Sequence, residues 1–408
     1  PSPDAVAGRD SADRLARAWA LKAECYAAWS SDPPRALQAA QALRALCTPE
    51  APAPVRALAD WTEGIACLIR GEMAEALGWL DRASSAWAAL GDALHAARAQ
   101  VPQVMALAVL GRFDEAQACA LRAEAALHAQ GDEHAAAKVR LNLGSLAFSR
   151  DQHGEAADHY RAAAVRFARA GDHEHSVMAD IGMADALTYL GRFDAADGHY
   201  RRARLRADHH RLPVLAASAD HGLALLALAQ GRYPDALAGL EATRRAYTTL
   251  ALEHRRTEAE KNLADAYLEL RLLPEAIALY TPLVHTLSSQ DAGATLPWAQ
   301  VQLARALALG GQPGAALQRL AEAAQGFEQQ DNAAGRATVC AVQAELRGAA
   351  GQFQAALALA LQAQAGFAAA GLPAHAAAAR VQAAAAHTGS GSADPALVLR
   401  VPTGHADW

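Results

Sequence analysis

Residues 110–120 read LGRFDEAQACA, and residues 190–200 read LGRFDAADGHY. The same five residues return in order after eighty positions, each time followed by alanine-rich chain. Self-similarity at a fixed period marks a repeat architecture, so weaker copies are sought at even fractions of the interval. Steps of forty from residue 31 give SDPPRA, GEMAEA, GRFDEA, DQHGEA, GRFDAA, GRYPDA, RLLPEA, GQPGAA and GQFQAA, starting at 31, 71, 111, 151, 191, 231, 271, 311 and 351. The sixth residue is alanine in all nine: Ala36, Ala76, Ala116, Ala156, Ala196, Ala236, Ala276, Ala316 and Ala356. A forty-residue period without insertion or deletion follows.

Halfway through each unit lies a second mark: APAP at 51, GDAL at 91, GDEH at 131, GDHE at 171, RLPV at 211, ALEH at 251, DAGA at 291, DNAA at 331 and GLPA at 371. Good helix formers fill the stretches between marks, while Gly and Pro gather at the marks. Each unit therefore reads as a helix pair. In the fourth unit Ala156, Tyr160, Ala163 and Phe167 fall at i, i+4, i+7 and i+11, one apolar stripe. Asp114 with Gln117 suits an N-cap and its capping-box partner, and Pro234 and Pro274 suit a first helical turn.

A helix of about sixteen residues is a rod of ~24 Å that cannot bury its stripe alone. Stacked pairs can, the core extending along the array. The recurring alanine then acts as a spacer where two helices touch. Its expected partner, seven residues before each turn, is small at Gly64, Gly144, Ala184, Ala224, Ala264, Ala304 and Ala344, with Glu24 and Val104 as exceptions.

Leu-Gly, a turn, an aromatic residue four past the alanine and another alanine three later resemble the tetratricopeptide repeat (TPR). The best match is LNLGSLAFSRDQHGEAADHYRAA at 141–163, where Leu143, Gly144, Ala156, Tyr160 and Ala163 occupy signature positions. The copy at 231 departs from the pattern at Leu240 and Thr243. The resemblance covers residues 11–388, and the long unit is similar to those of kinesin light chains, bacterial peptide-sensing regulators and arms beside caspase-like proteases. It implies an all-α fold: a right-handed α-solenoid of about nine helix pairs, its first helices lining a concave groove for a peptide or partner protein. Residues 1–10 read as a tail, 373–387 as a capping helix, and 389–408, with PALVLRVP as a possible strand, as a linker.

The composition narrows the function. A formal charge of −6 speaks against general nucleic-acid binding, and the basic stretch HYRRARLRADHHR at 199–211 is diluted by Asp194, Asp197 and Asp208. No apolar run reaches the ~18 residues of a membrane helix. Five cysteines without a CxxC spacing, Cys25, Cys47, Cys67, Cys119 and Cys340, read as free thiols of a cytoplasmic protein. Ten of sixteen histidines lie between His128 and His221, yet none has HExxH spacing, so no metal or cofactor is expected. Neither GxSxG, a P-loop nor a strand-borne GxGxxG occurs, which argues against an enzyme.

Carrying the family's inward positions onto the first helices gives an apolar lining at Trp61, Ile65, Val101, Met105, Leu141, Phe148, Met178 and Ile181. It is followed by a polar set expected to grip a partner: Asp185, Tyr189, His221, Glu258, Lys261, Asp265, Trp298 and Arg305. The leading expectation is a protein- or peptide-binding scaffold. Its rivals are the regulatory arm of a larger enzyme, a caspase-like protease or signalling ATPase, and a metal protein built on the histidine-rich middle.

Overall fold

The computed structural model describes residues 3–289, 295–330, 332–370 and 372–388, and their regular structure is nineteen α-helices with no strand among them. In chain order the first thirteen are α1 (Pro3–Ala28), α2 (Pro33–Ala45), α3 (Ala53–Arg70), α4 (Met73–Ala89), α5 (Ala93–Val109), α6 (Phe113–Ala129), α7 (Glu133–Ser149), α8 (His153–Ala170), α9 (His173–Tyr189), α10 (Phe193–His209), α11 (Pro213–Ala229), α12 (Tyr233–Thr249) and α13 (Glu253–Glu269). Then come α14 (Leu273–Ser289), α15 (Leu296–Leu309), α16 (Pro313–Gln329), α17 (Ala333–Ala349), α18 (Phe353–Ala369) and α19 (Pro373–Thr388). The chain forms two compact units, one up to Ala259 and one from Glu260, dividing within α13. Helix α1 starts at Pro3, so most of the stretch expected to be a tail is helical. The corners expected at 331 and 371 rest partly, and the corner at 291–294 and the linker at 389–408 wholly, on residues outside the described ones.

The corners recur every twenty residues. Left-handed backbone occurs at Gly71, Gly91, Gly111, Gly131, Asp151, Gly171, Gly191, Arg211, Gly231, Ala251, Arg271, Gly311 and Gly351. At Gly111 the amide bonds to Ala108 O at 3.0 Å and the next amide, of Arg112, bonds to Leu107 O at 2.9 Å, the paired closure of a Schellman turn. Asp151, Arg211, Ala251 and Arg271 adopt the same conformation with a Cβ, at φ of 54–60°. Each such residue costs about 1 kcal/mol that glycine avoids.

The side chains of Asp32, Asp92, Asp132, Asp172 and Asn332 cap helices by accepting the amide three residues on. Asp114, expected as a cap, lies instead in the first turn of α6, behind Arg112 at the N-cap. Its charge there still suits the positive end of the helix. Pro234 stands in the first turn of α12 as expected.

All nine repeat alanines are buried, none more than 2% exposed. Four positions further on sit large buried residues, Leu80, Tyr160, Tyr200, Leu240, Tyr280 and Leu320. These, more than the alanines, fill the space opposite the small residues seven before the turn. A Cβ on Gly144 would lie 2.7 Å from the Tyr160 ring, and one on Gly182 would lie 2.5 Å from the same ring. At Gly64 both partners are present: an added Cβ would stand 2.6 Å from Leu80 and 3.3 Å from the Ala76 carbonyl.

The first unit does not keep to neighbour-only contacts. Trp29, after α1, packs on the cluster of Val177, Ala203, Ala207, Leu212 and Leu215. Ser30 donates its hydroxyl to Glu174, and its carbonyl accepts the Val214 amide at 3.1 Å. Ile69 packs on Val214, Tyr247 and Leu252, and a Cβ on Gly71 would strike the His254 ring at 2.4 Å. Corners of the first two pairs therefore rest on helices α9 to α13, well over a hundred residues away.

Candidate functional site

The first helix of each pair carries the polar side chains that neighbouring pairs leave in half-buried positions. Three amides share one register there. Asn142 on α7 donates to Val101 O on α5 at 2.7 Å, Gln302 on α15 to Asp265 Oδ1 on α13 at 3.4 Å, and Gln382 on α19 to Glu345 Oε1 on α17 at 2.8 Å. Asn262 holds the same register on α13. An amide offers both donors and acceptors. A row of them can bind neighbours sideways and still present hydrogen-bonding capacity outward.

In the first unit, Asp185 on α9 accepts the Tyr200 hydroxyl at 2.5 Å. Burial raises its carboxyl to about 6, and the Glu258 charge adds to that. Arg255 and Glu258 pair at 3.2 Å on α13. Burial opposes ionisation of Glu258, yet Arg255, His221 and His254 together hold its carboxyl below the usual range. His221 is buried with its ring 6.2 Å from that of Tyr247. Three expected residues, Asp185, His221 and Glu258, thus gather between α9, α11 and α13. Tyr189 stands apart at the end of α9, stacked on His153 at 4.6 Å and meeting Phe148 edge-on at 5.2 Å.

In the second unit, Asp265 is buried, accepts the Tyr280 hydroxyl, and lies 3.3 Å from Lys261. Arg305 donates to Gln302 at 3.3 Å. Burial lifts Glu345 on α17 to about 7, while Arg305 and the Gln382 hydrogen bond partly oppose the rise. Trp298 faces the core, edge-on to Phe327 at 4.8 Å. Of the apolar lining expected further back, Trp61, Ile65, Val101 and Leu141 are buried packing residues.

Lys22, Arg98 and Lys138 escaped the sequence reading. Lys22 on α1 holds its ammonium 3.9 Å from the Trp61 ring centroid and 4.2 Å from that of Tyr26. Burial lowers it to about 8, and Lys138 and Arg98 push the same way. Composition held the signal: of 37 basic residues only Lys22, Lys138 and Lys261 are lysines, and all three lie on first helices.

Other suggestive groups are absorbed locally. Asp172 receives His134 at 2.6 Å and His175 at 2.8 Å, and His173 stacks on His210 at 3.9 Å. On α10, Arg201 pairs with Asp197, Arg202 and Arg206 with Asp180, and Arg204 with Asp208 and Asp220, which neutralises the basic stretch. Among the described residues Cys67, Glu72 and Glu75 are the one set of three potential metal-ligand atoms within 4.8 Å of one another. Burial pushes the Cys67 thiol up to about 12, and Arg70 already takes Glu72 at 2.6 Å, so the set fits a metal poorly. The cysteines are free, and no described helix is long and apolar enough to cross a membrane.

No protein-family model matches the sequence, and no curated protein is similar to it. Solved structures do resemble it. A Rap protein complexed with competence and sporulation factor matches at TM-score 0.59 and 12% identity, over 93% of this chain and 98% of that one. The apo form of RapI matches at 0.49 and 12%, over 81% and 97%. A signal-transduction ATPase with a tetratricopeptide repeat sensor, from Pyrococcus horikoshii, matches at 0.45 and 15%, over 71% and 43%. At these identities the likeness is one of fold. The chain is an all-α protein of TPR-type helix pairs.

Proposed function

We propose that the chain is a non-catalytic scaffold that holds a peptide or short protein segment along its first helices. One observation carries the reading: in the second unit amides at a single register, Asn262, Gln302 and Gln382, lie whole repeats apart on first helices. Side chains with both donors and acceptors suit the N–H and C=O groups of an extended backbone, whatever its sequence. Charged neighbours such as Lys261 and Arg305 supply selectivity by pairing with ligand carboxylates. The Rap protein of like fold was captured with a bound factor, which agrees with this reading. The buried thiols support a non-catalytic role. Burial pushes Cys25 and Cys119 up to about 11, leaving them poor nucleophiles.

Selection from a displayed random-peptide library on the purified chain tests the proposal, followed by calorimetric titration of the peptides obtained. The double variant Gln302→Ala, Gln382→Ala is expected to weaken binding ~30-fold, about 1 kcal/mol of net hydrogen bonding for each amide, without loss of helical circular dichroism. Charge reversal at Lys261 and Arg305 should abolish capture of acidic peptides. A library that yields no binder, or binders indifferent to all four changes, would overturn the reading.

A further inference from the structure

Helix α19 repeats the apolar stripe of the helix one repeat before it, yet on α19 that stripe is bare. In α17 Ala337, Ala341 and Ala344 are each 4% exposed, and α18 covers them with Ala360, Ala363 and Phe367. Forty residues on, α19 carries Ala377, Val381 and Ala384 at the same spacing. All three are exposed, Val381 to 69%. Beside them a cavity of about 400 Å3 opens between Ala368 on α18 and Pro373, Ala376 and Ala377 on α19. Among the described residues nothing fills, beside α19, the place that α18 fills beside α17.

The register continues past α19 into residues 389–408, which lie outside the described ones. Gly391 follows Gly351 by forty residues, and Ala396 follows Ala356, so the nine repeat alanines gain a tenth. Leu397 and Leu399 hold the positions of Leu357 and Leu359, which pack on the cluster of Ala344, Ala360 and Ala383. Position 399 also corresponds to Gly239, where an added Cβ would lie 2.7 Å from Ala224, the counterpart of Ala384. Arg400 stands where other units place a large buried residue. In three of them that residue bonds fifteen positions back, Tyr160 to Ser145, Tyr200 to Asp185 and Tyr280 to Asp265. From 400 the same path leads to 385, one turn from Gln382, whose Oε1 is buried with no hydrogen-bond partner.

We propose that the bare face of α19 is the seat of residues 393–401 of this same chain, folded as a tenth second helix that ends before Pro402. Residues 389–392 suffice for the corner, as 350–352 do between α17 and α18. Pro395 falls in the first turn, where a missing amide hydrogen costs little. The two leucines cover Val381 and Ala384. Arg400 lays its methylene stem along the same face and carries its guanidinium to the Gln382 carbonyl. Nine residues are too few for a stable helix in water, so their order depends on the seat. The proposal does not rest on the peptide-binding reading.

Hydrogen exchange followed by mass spectrometry on the intact chain tests it, with a synthetic peptide of residues 389–408 as the unseated reference. Amides of 397–401 should exchange ~10-fold slower in the chain than in the peptide, the ratio for a segment seated about nine-tenths of the time. Val381→Asp changes a side chain that is exposed without the segment, so the rest of the chain keeps its fold. It should return 397–401 to the peptide rate and leave α15 to α17 unchanged. Arg400→Ala should quicken exchange of the same amides by a smaller factor. Dilution of the chain should change nothing, because the seat and its occupant are covalently joined. Exchange at the peptide rate in the parent chain, or protection that survives Val381→Asp, would overturn the proposal. So would protection lost on dilution, which would make the occupant a second copy.

Discussion

The two units use one module and line it differently. In the first, the Lys22 ammonium lies over the Trp61 and Tyr26 rings, and early corners at Trp29, Ser30 and Gly71 touch helices far along the chain. In the second, the first helices carry partnered groups, with Asp265 held by Tyr280, Lys261 and Gln302, and Glu345 by Gln382. Beneath both linings lie the same buried alanines, followed four positions later by a large buried residue in six of the nine repeats. A repeat core thus fixes spacing and leaves each inner face free to take its own chemistry. What belongs to the module should respond alike in both units, and what belongs to the lining should not.

The largest expected effect tests the shared part. Ala196→Leu in the first unit and Ala316→Leu in the second should each cost ~1–3 kcal/mol, because both sites are fully buried and an added isobutyl group overpacks them. Calorimetric melting that shifts for only one of them would break the equivalence of the modules. Trp29→Ala should cost about 2 kcal/mol, less than a fully buried tryptophan because the residue is half-buried. Hydrogen exchange should quicken in α9 and α11, where the contact is made, and leave α15 to α19 unchanged.

A pH series sharpens the contrast between linings. Folded Asp185 at about 6 and Glu345 at about 7 lie above their unfolded values of about 3.9 and 4.3. The folded chain holds these protons more tightly than the unfolded one. Their contribution is therefore present on the acid side, and is lost between about pH 4 and 6 for Asp185 and between about pH 4 and 7 for Glu345. Melting temperatures of Asp185→Asn and Glu345→Gln should each show a flatter pH profile, the difference from the parent ending near pH 6 for the first and near pH 7 for the second. A common upper limit would contradict the assignment. The smallest effect concerns corners: Ala251→Gly and Arg271→Gly should each stabilise by up to ~1 kcal/mol, by relieving left-handed strain. Urea midpoints would detect that, and a loss of stability would show that another interaction holds the turn.

Sequence periodicity made the fold legible because the steric demand of close helices falls on backbone spacing, which admits little besides alanine or glycine. The corners were legible for a related reason, since left-handed backbone selects glycine at most of them. Asp114 misled because a cap depends on where the preceding turn ends, two residues earlier than the acidic residue suggested. The lining was harder to read. Trp298 shares a register with groove positions but turns to Phe327, a choice made by rotamer and packing. The seat of Lys22 on the Trp61 ring, 39 positions further on, depends on how neighbouring pairs pack. Only the scarcity of lysine hinted at it.

The twenty-residue rhythm of the corners has a consequence for how such a chain can change length. Loss or gain of forty residues removes or adds a whole step and returns every later side chain to its former aspect. Loss of a single rod would exchange the roles of all rods downstream, sending outward the residues that now look inward. Viable size variants of this protein should therefore come in multiples of the pair.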